Sequence, residues 1–360
     1  MAVLLKNLYN EEYLSLLCVT IKKEYTPFKI SAFLTAILDD VWEKRELKER
    51  MRHISTTLGL FLPKNYKDAI EILQVTFNSM NSSYALENMI FQDFVEVYGL
   101  DSFVISMQAL ECFTIESSSE FAIRQFILKD QEQTIKQMLL WSKSENEHIR
   151  RLASEGSRSR LPWAVALPTF KKDPTLILEI LEILKDDSSA YVRKSVANNL
   201  NDISKDNPDI IKRLTKQWLH FSKNRDAILK HGCRTLLKAS DKYIHELFGF
   251  SHPTNITLTN FHHTQSVKIG EELVFDFQLA HKKYLGKLRI EFSLAFLRKN
   301  GKHNAKVFKI AEGIYESDIK TISKSYSFKT ISTRVYYKGL QKLSIIINGV
   351  IFKEVTFTLE

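Results

Sequence analysis

Cysteine is scarce in this chain: Cys18, Cys112 and Cys233 are the only three in 360 residues. They are odd in number, far apart and in no metal-ligand spacing. That excludes a disulfide framework and a zinc ribbon, and it suits a reducing cytosol. Glycine (11) and proline (7) are also few. No Gly-rich phosphate loop, no G-x-S-x-G turn and no H-E-x-x-H pair occurs. The signals of nucleotide hydrolysis, of the serine-hydrolase elbow and of zinc proteases are therefore missing. His262 and His263 are adjacent on a strand and point to opposite faces, while His148, His220, His231 and His245 have no partner at ligand spacing. Glu179-Ile180-Leu181-Glu182 resembles half of a di-iron pattern, but no histidine follows. The expectation is chemistry without metal or cofactor, or no chemistry. No apolar run approaches the ~20 residues of a membrane helix. The opening MAVLLKNLYNEEY has no charged leader before a long apolar core, so no signal peptide and no membrane association are expected.

What is present is ordinary in bulk and uneven in distribution. Hydrophobic residues make up 44% and charged residues 26%, and the length leaves room for two cores. The net charge is +9. Residues 251–360 hold 17 Lys and Arg against 9 Asp and Glu, leaving 34 against 33 for residues 1–250. A basic module of that density suits a polyanion, most commonly nucleic acid; the alternative is a solvated surface.

Two periods divide the chain. Up to residue 249, apolar residues recur at three- and four-residue spacing, as in Leu34, Ile37, Leu38, Val41 and in Leu176, Ile180, Leu181, Leu184. Asp173-Pro174, Asp187-Ser188-Ser189 and Asp206-Asn207-Pro208 open helices, and Asn224-Arg225-Asp226 opens one expected to run to Ser240. Ile149-Arg150-Arg151 recurs as Val192-Arg193-Lys194, 43 residues on, which suits a HEAT-like helix pair. Beyond Gly249-Phe250-Ser251-His252-Pro253 the period is two, in Leu273-Phe275-Phe277-Leu279 and Leu288-Ile290-Phe292-Leu294-Phe296, and Asn348-Gly349 marks a hairpin. The fold class expected is α then β. Residues 1–250 form an α-helical HEAT-like repeat solenoid whose first 110 residues are a helical cap. Residues 251–360 form an immunoglobulin-like β-sandwich of roughly seven strands.

The repeats carry polar groups where packing alone would not need them: Ala153-Ser154-Glu155-Gly156 in one copy, Ala197-Asn198-Asn199 and Asn201-Asp202 in the next. SEGSRSRLPWA, YVRKSVANNLNDISKDNP and SSEFAIR at 118–124 closely resemble the DNA alkylation repair glycosylases of the AlkC type, within the AlkC/AlkD superfamily of HEAT-like repeat proteins. Some AlkC-type members carry an immunoglobulin-like tail. The resemblance implies a DNA glycosylase that excises cationic methylated bases from duplex DNA. 3-Methyladenine is the leading substrate and 3-methylcytosine the second.

Such a base already carries a full positive charge and departs neutral, so no general acid is required. The enzyme must stabilise the cation developing on deoxyribose and orient a water, and carboxylates do both. One carboxylate supplying ~3 kcal/mol gives on the order of a hundredfold in rate. An aromatic face adds ~0.5–2 kcal/mol of cation–π attraction. On this reading Glu120, Glu155 and Asp202 are the acids and Trp163 the aromatic group. Asn198 and Asn199 orient a carboxylate or the backbone. Each has a plainer reading. Asp202 could pair with Lys205, Glu155 with Arg150 or Arg151, Glu120 could occupy a helix N-terminus, and Trp163 could be core. Arg150, Arg151, Arg158, Arg160, Arg193 and Lys194 are candidate phosphate grips, or repeat-to-repeat ion pairs. Lys282, Lys283, Lys287, Arg298, Lys299 and Lys302 would make the sandwich a DNA clamp. The partner expected is double-stranded DNA with alkylated bases, met by a monomer in the bacterial cytoplasm, at the nucleoid when bound. The competing reading is a non-catalytic HEAT-like scaffold that binds damaged DNA or a protein.

Overall fold

A computed structural model describes residues 4–80, 82–331 and 334–360. Among these, sixteen α-helices precede eight β-strands. The helices are α1 (Glu11–Glu24), α2 (Ile30–Ile37), α3 (Leu47–Phe61), α4 (Tyr66–Ser79), α5 (Met89–Tyr98), α6 (Phe103–Thr114), α7 (Ile123–Lys129) and α8 (Gln131–Trp141). They continue as α9 (Glu147–Gly156), α10 (Pro168–Lys172), α11 (Thr175–Leu184), α12 (Ala190–Asp206), α13 (Pro208–Trp218), α14 (Lys223–Gly232), α15 (Arg234–Lys238) and α16 (Lys242–Leu247). Asparagine or aspartate caps many of them: Asn10, Asn65, Asp130, Asn146 and Asp241 each accept a first-turn backbone N–H. Each helix buries one stripe. In α1 it is Tyr13, Leu14, Leu17, Cys18 and Ile21, the three-and-four spacing that sequence periodicity shows elsewhere.

The 43-residue repeat is real in three dimensions. Helices α9, α12 and α14 lie side by side, backed by α8 and α11. Arg150 donates through Nη1 to the carbonyls of Ser144 (2.9 Å) and Glu145 (2.8 Å). Arg193 does the same to Asp187 (2.6 Å) and Ser188 (2.8 Å). Both arginines therefore close the turn that leads into their own helix.

The helix expected to run from 224 to 240 is broken between Gly232 and Cys233, giving α14 and α15. A side chain on Gly232 would meet the Leu200 Cβ at 2.8 Å, so the close approach of α14 to α12 requires glycine there. The chain divides into two compact units, Met1–Asn207 with His220–Gly232, and Pro208–Leu219 with Cys233–Glu360. The division by compactness thus differs from the change of period at 249–253: α13, α15 and α16 belong with the strands.

Within the second unit the strands are β1 (Thr257–His263), β2 (Ser266–Val267), β3 (Glu272–Ala280), β4 (Gly286–Leu297), β5 (His303–Tyr315), β6 (Ile319–Ser327), β7 (Gly339–Ile347) and β8 (Val350–Leu359). A three-stranded sheet, β1-β3-β6, faces a five-stranded sheet, β2-β8-β7-β4-β5. Between them lies a core of Phe275, Phe277, Phe292, Ile345 and Phe357 with their neighbours. Asn348 (φ 46°) and Gly349 (φ 81°) form the β7–β8 turn.

One alternation departs from expectation. Arg289, Glu291 and Ser293 on β4 read as the solvent face, yet all three are buried. Arg289 donates to Glu291 (2.6 Å) and Glu312 (2.8 Å), and His245 of α16 is charge-coupled to that pair. Helix α16 belongs to the same unit.

Candidate active site

The three acids that the resemblance singled out, two of them in the repeats, come together through two arginines. Glu120 sits in the turn before α7, Glu155 near the end of α9, and Asp202 in the last turns of α12. Arg151, one turn before Glu155, donates through Nη1 to Glu120 Oε2 at 3.0 Å and through Nη2 to Oε1 at 3.3 Å. Its Nη2 also stands 3.8 Å from Glu155 Oε1. Arg158 follows α9; its Nη1 reaches Glu155 Oε1 at 2.5 Å, and its Nε and Nη2 both reach Asp202 Oδ2 at 2.7 Å. The result is a continuous row, Glu120–Arg151–Glu155–Arg158–Asp202, of alternating charge.

Burial is deep along this row. Asp202 is 1% exposed, Glu155 6% and Glu120 9%. Buried charge is tolerable only when paired, and every acid here has a guanidinium. Ser195 donates to Glu155 Oε2 at 2.6 Å, filling that carboxylate's other oxygen. Tyr191 lies under the Arg151 guanidinium at 5.3 Å, and burial raises its phenol above the ordinary value. Asp202 Oδ1 is held differently: its bond is to Lys205 Nζ at 2.8 Å, and that lysine side chain is 37% exposed.

The plainer readings are thereby partly realised. Asp202 does pair with Lys205 and Glu155 does approach Arg151, while Arg150 turns away to Asp187 (2.6 and 3.1 Å). Asn199 donates to the Ser154 carbonyl at 2.8 Å and so orients backbone, and Asn198 bonds His231 at 2.9 Å. Trp163 is not core: it is 65% exposed, with φ 64°, on the loop between α9 and α10. Among the described residues, no hydrogen bond joins it to the acids; its carbonyl accepts from Lys48 Nζ at 2.8 Å.

In the free protein most of the arginines expected as phosphate grips make ion pairs, the alternative that the sequence also offered. Arg150, Arg151 and Arg158 hold carboxylates, and Arg160 forks onto Asp206 at 2.5 and 2.6 Å. Arg193 is partly spent on carbonyls, and Lys194 is exposed. Arg193 and Lys194 line a shallow groove of about 240 Å³ with Asn224 and His231, which the sequence offered only as a helix opener and an isolated histidine.

The six sandwich cations do not form one patch. Lys282, Lys283 and Lys287 stand at the start of β4, and Arg298, Lys299 and Lys302 at its far end. A twelve-residue strand separates them, roughly 36 Å at the usual rise. Also missed were Ser195, Tyr191 and Arg124. Arg124 stands among buried Ile123, Phe126 and Ile127, and a cation inside an apolar stripe was its available signal.

The model of DNA alkylation repair enzymes matches residues 113–236, the stretch that carries all three acids. A second model, the C-terminal Ig-like domain of the uncharacterised protein YhaZ, matches residues 257–360. The protein YhaZ of Bacillus subtilis (strain 168) is 44% identical over 347 residues, 96% of each chain. The alkylpurine DNA glycosylase AlkC of Pseudomonas fluorescens, solved bound to DNA containing an abasic site analog, superposes with a TM-score of 0.95 at 32% identity, over 99% of this chain and all of that one. The chain belongs to the AlkC family of DNA glycosylases. The AlkC-type helical repeats with an Ig-like C-terminus, expected from the sequence, are what the structure has. Among the described residues, no helix is long and apolar enough to cross a membrane.

Proposed function

We propose that this AlkC-type protein hydrolyses the N-glycosidic bond of cationic alkylated bases in duplex DNA, 3-methyladenine first and 3-methylcytosine second. One observation carries the reading: three carboxylates on separate helical segments converge in one row, each facing a guanidinium. Such an arrangement supplies fixed negative charge rather than a proton donor. A base that is already cationic needs no proton, so the two requirements match.

Asp202 is the central group. Its Oδ2 is held twice by Arg158, whereas Oδ1 has one flexible, half-exposed lysine. Oδ1 is therefore the oxygen that faces the sugar cation or the water, once Lys205 exchanges its carboxylate for a DNA phosphate. Glu155 and Glu120 hold the flanking arginines and add negative charge. Trp163, exposed on its loop, offers its ring to the cation. Lys194, Arg193, Asn224 and His231 grip phosphate along the groove between α12 and α14. The sandwich contributes a second grip through one of its two basic ends, and the protein acts as a monomer in the bacterial cytoplasm.

The test is release of free methylated base from DNA treated with a methylating agent. Wild-type protein is expected to release it without added metal or nucleotide, and Asp202→Asn and Glu155→Gln to release it far more slowly. Full release by both variants would remove the site assignment. No release by the wild type would leave the scaffold that binds damaged DNA.

A further inference from the structure

The loop from Ser157 to Val165 carries Arg158 on its first leg and Trp163 on its second. Few backbone bonds shape it: Ser157 and Arg158 N–H to the Glu155 carbonyl at its start, Leu167 N–H to the Ser159 carbonyl at 3.2 Å, and Ala164 N–H to the Leu161 carbonyl at 3.3 Å. Trp163 adopts a left-handed backbone that a bulky residue avoids. Side chains hold the rest: Arg158 and Arg160 fork onto Asp202 and Asp206, and Arg124 of α7 binds the backbone at both ends of the loop.

Arg124 is 0% exposed. Its Nε donates to the Val165 carbonyl at 2.6 Å, and its Nη1 to the carbonyls of Gly156 (3.1 Å) and Arg158 (2.7 Å). One planar guanidinium thus touches the last residue of α9, the second residue of the loop and its final residue. We propose that Arg124 is a positioning residue for base excision: it staples the 157–165 loop closed and so fixes Trp163 and Arg158 relative to Glu155 and Asp202. This rests on the function proposed above.

Two observations support the role. Packing alone would be met by an apolar side chain, as at the other buried α7 positions Ile123, Phe126 and Ile127. A buried cation is costly unless its donors are used, and here Nε and Nη1 are used while Nη2 has no partner among the described residues. Burial, with Arg158 as a second cation nearby, pushes the Arg124 pKa down to about 10, and the charges of Asp202 and Glu155 pull it back. The cation therefore sits in the field of the acids whose neighbours it holds. A lysine cannot copy the arrangement: it has no planar fork to span three carbonyls. Lys48 adds a lighter pin from α3, through the Trp163 carbonyl at 2.8 Å.

The experiment uses the full chain with Arg124→Lys and Arg124→Gln, which keep most of the volume. Three quantities are measured: the single-turnover rate of methylated-base release, the affinity for DNA with an abasic-site analogue, and acrylamide quenching of tryptophan fluorescence. Trp42, Trp141 and Trp218 are buried (6%, 2% and 4% exposed) against 65% for Trp163, so quenching reports on Trp163. Both variants are expected to lose on the order of a hundredfold in rate, as displacement of reacting groups by an ångström does. Affinity should change by less than about threefold and Trp163 quenching should change clearly. Millimolar guanidinium should restore part of the rate to Arg124→Ala but none to Trp163→Ala. Rates near wild type in both folded variants would overturn the staple. So would parallel losses of rate and affinity with Trp163 quenching unchanged, which mark a general defect. If wild-type protein releases no base, the proposed function has failed. The quenching comparison then decides the staple alone: a changed signal supports it and an unchanged one overturns it.

Discussion

Asp202→Asn separates what the buried acid does for stability from what it does for chemistry. Asparagine keeps the shape and one carbonyl oxygen but removes the charge. Asp202 is 1% exposed and takes three bonds, two from Arg158 at 2.7 Å and one from Lys205 at 2.8 Å. Removing one partner of a buried pair costs about 3–5 kcal/mol when the other is left bare. Here Arg158 keeps Glu155 at 2.5 Å and the amide oxygen still accepts a bond, so the loss should fall to about 2–3 kcal/mol. The chemical loss is set by the missing charge opposite the sugar cation, ~3 kcal/mol or on the order of a hundredfold in rate. DNA affinity should move the other way, because a buried negative charge has been taken from behind the face proposed to meet phosphates. Thermal melting gives the first quantity, single-turnover base release below the melting range the second, and titration with abasic-analogue DNA the third. A folded Asp202→Asn protein that excises within threefold of wild type would refute the reasoning. Glu155→Gln should show the same pattern, and the double variant should fall short of the summed losses because both acids share Arg158.

Trp163→Gly should melt higher than wild type by about 1 kcal/mol of added stability, since glycine accepts the left-handed φ freely, while excision drops about tenfold with the lost ring face. Replacing Lys282, Lys283 and Lys287 with Gln, and separately Arg298, Lys299 and Lys302, tests which end of β4 grips DNA. Every cation that grips a phosphate should, once replaced, flatten the log-affinity against log-salt slope by ~0.9, and an unchanged slope in both sets removes the clamp. Burial lowers the pKa of His245 below the usual value of 6.5. The unfolded chain therefore binds the proton first, and stability present above pH 6.5 is lost as pH falls through 6.5 towards the folded value. Melting followed from pH 7.5 to 5 should show this decline, and His245→Gln should flatten that part of the profile.

Much of this protein was legible from residue order. The three-and-four spacing of apolar residues and the switch to period two at 249–253 are local signals, and local geometry obeys them. The helix starts are followed less closely, since the N-caps of α11 and α12 are Pro174 and Ser189 with no side-chain cap bond and α14 begins at Lys223, before Asn224. The 43-residue repeat fixed the equivalence of Arg150 and Arg193, because the same turn needs the same closing guanidinium. Glu155 and Asp202 stood out because a stacking helix has no need of acids on its packing side, whereas Glu120 was indicated only by the family resemblance of SSEFAIR.

Tertiary structure decided the pairings. Which carboxylate an arginine meets depends on neighbours 31 to 46 residues away, as with Arg151 and Glu120 or Arg160 and Asp206. The 43-residue repeat brings such segments near one another but does not choose the partner, so which arginines make ion pairs in the free protein needed the fold. The same holds for Arg289 and Glu291, which alternate like a solvent face and are buried as a pair. Spacing along a chain sets which face a side chain takes. What lies opposite that face, and hence whether a charge is spent inside the protein or left for DNA, is settled only when distant segments come together.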